Sequence, residues 1–158
     1  YVTSHMLIIP LVDVFASGFD WFLQQDKAPN GLIFFFVVSF MNGLVLEIGR
    51  KIKSPEQEEP GVLSYTFQLG TKRAPLSWIF LLFITWVFAL IAADFAGHSS
   101  LSYIVLSLVF IICSVPAILF FIRPSIRYAK MIEISSAIWT FSMYLILGGI
   151  PMIISILR

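Results

Sequence analysis

The sequence predicts an all-α, multi-pass transmembrane bundle of about five helices. Three observations carry that prediction. The first is composition: of 158 residues, 59% are hydrophobic and 12% are charged, about half the charged share of a soluble domain. The second is length: the apolar residues gather in runs close to the roughly 20 that a spanning helix needs. The third is pattern: the runs are apolar all round and show no sustained alternation, which argues against the strands of a membrane barrel.

Five segments follow in order. Residues 6–22 form the first, interrupted by Asp13 and containing Pro10; residues 30–48 form the second. Residues 75–93 and 100–122 form the third and fourth, the latter holding Pro116, and residues 134–157 form the fifth, holding Pro151. An interior proline frees a carbonyl and is expected to kink its helix, which packed neighbours tolerate. The whole chain, 1–158, reads as one transmembrane domain. It starts with Tyr1, and the apolar stretch there has neither a positive flank nor a small-residue cleavage site. It therefore does not read as a signal peptide, and the expectation is a chain that begins inside or just before a membrane helix.

The single cysteine, Cys113, sits in an apolar run, so no intrachain disulfide forms and the thiol reads as a packed hydrophobe. A net charge of +1 leaves no basic footprint for nucleic acid. The basic residues are nevertheless sorted. Arg50, Lys51, Lys53, Lys72 and Arg73 lie between the second and third segments, and Arg123, Arg127 and Lys130 between the fourth and fifth. Only Lys27 and Arg158 fall on the other side. The positive-inside rule then puts both basic loops, including 49–73, in the cytoplasm.

The densest charge follows the second helix, in "EIGRKIKSPEQEEPGVLSYTFQLG". Glu47, Arg50 and Lys51 are three and four residues apart, so they share one helical face with Gly43. Asn42 is some 140° away by helical geometry. Glu56, Glu58 and Glu59 come next, before Lys72 and Arg73 return the chain to the membrane. Carboxylates beside arginine and lysine suit a magnesium diphosphate, the carboxylates binding metal and the cations binding phosphate oxygens. The same pattern also suits a solvated interfacial loop with an internal Glu47–Lys51 ion pair. Asp13 stands apart, because a carboxylate in mid-membrane is costly and usually faces the bundle interior. It and Asn42 are candidates to line a cavity. Glu133 reads as the acid that opens the fifth helix, where the dipole favours it.

At this point the sequence resembles a known family. A helix ending "EIGRK", an acidic loop, "GVLSY" with Gly61 and Ser64, and "QLG" closing at Gly70 are similar to the second acidic region of the UbiA superfamily of intramembrane prenyltransferases. The acids here are glutamates, and the segment from Glu47 to Gly61 is longer than usual, so the resemblance is to a divergent branch. It implies that the chain corresponds to helices five to nine of a nine-helix fold, the carboxyl-terminal part of a larger protein. It also implies magnesium-dependent transfer of a prenyl group from a prenyl diphosphate to a lipophilic or aromatic acceptor. On that resemblance Glu47 with one of Glu56, Glu58 or Glu59 would hold magnesium, and Arg50, Lys51, Lys72 and Arg73 would contact diphosphate. This part alone would be inactive, because the family builds its site from two acidic regions.

Two other readings stay open. A non-enzymatic membrane bundle, such as a transporter fragment or an assembly subunit, also accounts for intramembrane Asp13 and proline-bearing helices. A CDP-alcohol phosphotransferase would need a dense DGxxAR signature, which the sequence lacks.

Overall fold

The computed structural model describes residues 6–23, 27–28, 30–59, 61–97 and 100–149. Every regular element among them is helical. Helix α1 spans Ile8–Leu23, α2 Leu32–Arg50, a short α3 Tyr65–Leu69, α4 Arg73–Phe95, α5 Ser100–Ile122 and α6 Ile126–Tyr144. A π-helical turn, Leu145–Gly149, continues α6. The four helices α2, α4, α5 and α6 with its extension are long and apolar enough to cross a membrane. The chain is thus an integral, multi-pass, all-α membrane protein. The first predicted segment is helical too; among the described residues α1 has 16, about 24 Å at 1.5 Å per residue, against a hydrocarbon core of about 30 Å.

The four long helices close a ring, α2 on α4, α4 on α5, α5 on α6 and α6 back on α2, with α1 laid against α2. Trp78 of α4 pins three of them. Fully buried, it donates from Nε1 to the Val45 carbonyl of α2 at 3.0 Å and to Ser136 Oγ of α6 at 3.1 Å. Gly49 makes this approach possible, since a Cβ there would overlap Ser136 Oγ and come within 2.9 Å of Trp78 Nε1. Small residues at a crossing are how membrane helices gain close packing without a hydrophobic driving force between them. Ten residues back along α2, Ser39 accepts a 3.0 Å hydrogen bond from the Tyr144 hydroxyl. As the α2 number falls from 49 to 39 its α6 neighbour rises from 136 to 144, so the two helices run antiparallel.

The sequence-based boundaries need three corrections. Helix α6 starts at Ile126 rather than residue 134, because Ser125 caps it: its Oγ accepts from the Tyr128 N–H, just after Pro124. Its first two turns are as polar as a loop, which hid them from a search for apolar runs. Arg127 and Lys130 therefore ride on the helix, and Glu133 does not open it but sits two turns in, paired with Lys130 at 2.9 Å. Helix α4 starts at Arg73, with Pro75 in the first turn, where a missing N–H costs nothing. Pro10 likewise falls in the first turn of α1 and not in its interior. Pro116 is inside α5 as expected, while Pro151 lies outside the described residues. Phe34 of α2 packs on Phe88 and Phe95 of α4.

Candidate functional site

The site forms where α2 reaches the charged end of the bundle. Helix α2 ends after Arg50, and its last two turns carry Gly43, Leu46, Glu47 and Arg50 toward α1 and α6. There they meet Met6 and Ile9 from the start of the chain, and Glu133 and Ala137 from α6. Together these residues line a cavity of about 400 Å³. Its rim is charged (Glu47, Arg50, Glu133), and the rest of its wall is hydrocarbon and small side chains.

Glu47 is 8% exposed and faces this cavity. Both its oxygens are engaged: Oε2 with Arg50 at 2.5 Å and Oε1 with Lys51 at 2.5 Å. The internal Glu47–Lys51 pair that a plain interfacial helix end would form is therefore present. The Arg50 side chain is 63% exposed, so its guanidinium has donors left over. Lys72 and Arg73, exposed at the start of α4, share the same end of the bundle without lining the cavity.

The acids of the loop go elsewhere. Glu56, Glu58 and Glu59 line a second cavity with Lys53, Gln57, Val62 and Ser64, also about 400 Å³. Glu58 is held there by the Ser64 hydroxyl at 2.6 Å. Ser64 is buried, and its Oγ also caps α3 by accepting the Phe67 N–H at 2.8 Å. Thr66 Oγ1 lies 3.1 Å from it and accepts the Lys53 N–H at 2.9 Å, while the Tyr65 N–H donates to the Lys51 carbonyl at 3.0 Å. The flanking glycines make the turns: Gly61 has φ +86° and Gly70 φ +87°, a region costly for any residue with a Cβ. Gly61, Ser64 and Gly70, the residues that carry the family resemblance, thus make a turn, a cap and a stop that return the acidic loop to the end of α2.

Magnesium is commonly held by one or two carboxylates together with substrate phosphates. Among the described residues no three His, Cys, Asp or Glu side chains come together to hold a metal. The carboxylate that shares a cavity with Glu47 is Glu133, not an acid of the loop, and the three loop acids share their own. Two carboxylates are hard oxygen donors but do not by themselves make a metal cage. Asp13 and Asn42 are not on this cavity. Asn42 is 1% exposed and its amide oxygen and nitrogen have no partner; Asp13 Oδ2 is also buried without one.

Glu133 and Ala137 are the site residues that sequence reasoning missed. The signal was present: Lys130, Glu133 and Ala137 repeat at the three- and four-residue spacing of one helical face. It is visible only once α6 is known to begin at Ile126. The fold and the site define a multi-pass membrane protein with an amphiphilic cavity opening at its basic end. No family model, curated protein or solved structure matches the chain.

Proposed function

We propose that the chain is the helix five-to-nine portion of a divergent UbiA-like prenyltransferase, moving a prenyl group from a prenyl diphosphate to a lipophilic or aromatic acceptor in the bilayer. The observation that carries this reading is the two-part lining of the α1–α2–α6 cavity, charged at the rim and hydrocarbon below. A prenyl diphosphate has the same division along its length.

In this reading Arg50 turns its free donors onto the diphosphate, a charge-assisted and potentially bidentate contact. Lys51 stays on Glu47 and fixes the carboxylate that orients Arg50. Met6, Ile9 and Leu46 keep water from the first carbons of the chain. The bond between the prenyl carbon and the diphosphate oxygen breaks with both electrons going to the diphosphate. The acceptor's nucleophilic atom then bonds that carbon and loses its proton. Bound with the diphosphate and held by Glu47 and Glu133, magnesium would supply neutralisation of the departing negative charge. The acid-rich loop, Lys72 and Arg73 would complete the field at the membrane surface, and the first acidic region is expected from an upstream segment.

The test is product formation from a radiolabelled prenyl diphosphate and a panel of acceptors, using the protein expressed with its upstream coding sequence, with and without EDTA. Transfer that EDTA abolishes supports the reading. One observation favours the alternative of a non-enzymatic membrane bundle: the closed Arg50–Glu47–Lys51 pairing is complete without a ligand. Absence of transfer together with absence of diphosphate binding would favour it.

A further inference from the structure

Asp13 of α1, Ser39 and Asn42 of α2, and Thr140 and Tyr144 of α6 come together inside the bundle, well below the charged rim. Helix register places Asp13 there. Gly43 faces Ile9, since a Cβ at Gly43 would come within 2.9 Å of Ile9 Cδ1. Helices α1 and α2 follow one another in the chain and pack on each other, so they run antiparallel. One turn on from Ile9 is Asp13, and one turn back from Gly43 is Ser39. Ser39 accepts from the Tyr144 hydroxyl at 3.0 Å, and the Asp13 charge bears on that same hydroxyl. Asn42 lies three residues from Ser39, and Thr140 four from Tyr144, so each shares its neighbour's face. Because α2 and α6 run antiparallel, both steps lead toward the charged end, by about 4.5 and 6 Å of helix rise.

These groups are rich in oxygen and short of partners. Among the described residues, Asp13 Oδ2, Asn42 Oδ1 and Nδ2, and Thr140 Oγ1 are buried with no hydrogen-bond partner, and Asn42 as a whole is 1% exposed. Nearly all buried polar groups in folded proteins are paired, so a set that is not calls for a ligand. The charge is unbalanced too. The basic residues of α1, α2 and α6 are Arg50, Arg127 and Lys130, and Arg50 is about 16 Å of helix from the level of Ser39.

We infer that these side chains form a site for one alkali-metal cation inside the bundle. One carboxylate balances one positive charge. The other donors are neutral oxygens, the Asn42 amide and the Ser39, Thr140 and Tyr144 hydroxyls. The Tyr144 hydroxyl gives its proton to Ser39, which leaves its own lone pairs for an ion. This set suits a hard monovalent ion and not magnesium, which keeps several waters and takes phosphate oxygens besides. A cation here also provides the pairing that an ionised group at this depth requires. The site is separate from the α1–α2–α6 cavity, whose wall includes neither Asp13 nor Asn42, and it stands or falls independently of the prenyl diphosphate reading.

The test is thermal unfolding of the protein, expressed with its upstream coding sequence and held in nanodiscs, in sodium, potassium or choline chloride at equal ionic strength. Sodium or potassium should raise the midpoint above that in choline, and saturably, because an ion that binds only the folded state stabilises it. Asp13→Asn should abolish the rise. Thr140→Val should raise the half-saturating ion concentration by about tenfold, the order expected for one lost polar contact to a charge. Asp94→Asn, at the far end of the bundle, should keep the full response. Equal midpoints in the three salts would overturn the site, and so would a response that Asp13→Asn retains. Should Asp13→Asn not fold, Thr140→Val and Asn42→Ala decide: unchanged half-saturation in both refutes the site, and a raised value supports it.

Discussion

Glu133 of α6 faces the same cavity as Glu47 of α2, although 86 residues separate them in the chain. The relation follows from the antiparallel packing that Trp78 pins between Val45 and Ser136. It also removes Glu133 from the set of indifferent acids. A control for experiments on Glu47 has to come from the far end of the bundle, where Asp94 is exposed and accepts from the Tyr103 hydroxyl at 3.3 Å.

Arg50 is the cation on the cavity wall, so Arg50→Ala should weaken binding of inorganic diphosphate. A hydrogen bond to a charged group contributes about 1.5–3 kcal/mol, which corresponds to a Kd raised by roughly 10- to 150-fold. Isothermal titration in detergent checks it. Retained affinity would remove Arg50 from the binding set.

Ser64 ties three parts of the loop together, through Glu58, Thr66 and the Phe67 N–H. Ser64→Ala should loosen α3 by about 1 kcal/mol, the usual cost of a lost cap. Hydrogen exchange should quicken at the Phe67 amide and across the acidic loop, with the long helices unaffected. No change in exchange there would mean that the cap does not hold the loop.

Gly49 meets Ser136 and Trp78 across the α2–α6 crossing. Gly49→Ala should overpack this contact and cost about 1–3 kcal/mol, lowering the thermal midpoint in detergent. Gly61→Ala has open space around it but a positive φ, so its cost is local strain of about 1–2 kcal/mol and should show in the loop and not in the bundle.

The membrane sidedness is testable by thiol labelling in a background where Cys113 is replaced by Ala. Lys53→Cys, after α2, and Ala96→Cys, after α4, should react from opposite faces, Lys53 from the cytoplasm. Labelling of both from one side would refute the crossing of α4.

Much of the fold was legible because bilayer burial demands long apolar runs, and α2, α4 and α5 are such runs. The inward direction of Glu47 was legible for the same reason, since a carboxylate near the end of a span avoids lipid. The start of α6 was not legible, because Arg127, Lys130 and Glu133 give its opening turns the composition of a loop. The grouping of acids was not legible either. Proximity in sequence linked Glu47 to Glu56, Glu58 and Glu59, whereas tertiary packing links it to Glu133 and the Ser64 hydroxyl draws Glu58 into a separate cavity.

The central claim is that the Glu47 carboxylate organises a magnesium diphosphate at the end of α2. It is tested most directly by magnesium-dependent prenyl transfer in Glu47→Gln, measured on the protein with its upstream segment and with Asp94→Asn as the control. Glutamine keeps the size and much of the hydrogen bonding but not the charge that pairs with Arg50 and Lys51 and that a hard cation requires. The account predicts that Glu47→Gln folds, shown by an unchanged thermal profile, and has lost transfer, while Asp94→Asn transfers normally and EDTA silences both the control and the unaltered protein. Full transfer by Glu47→Gln, or transfer indifferent to EDTA, would contradict it.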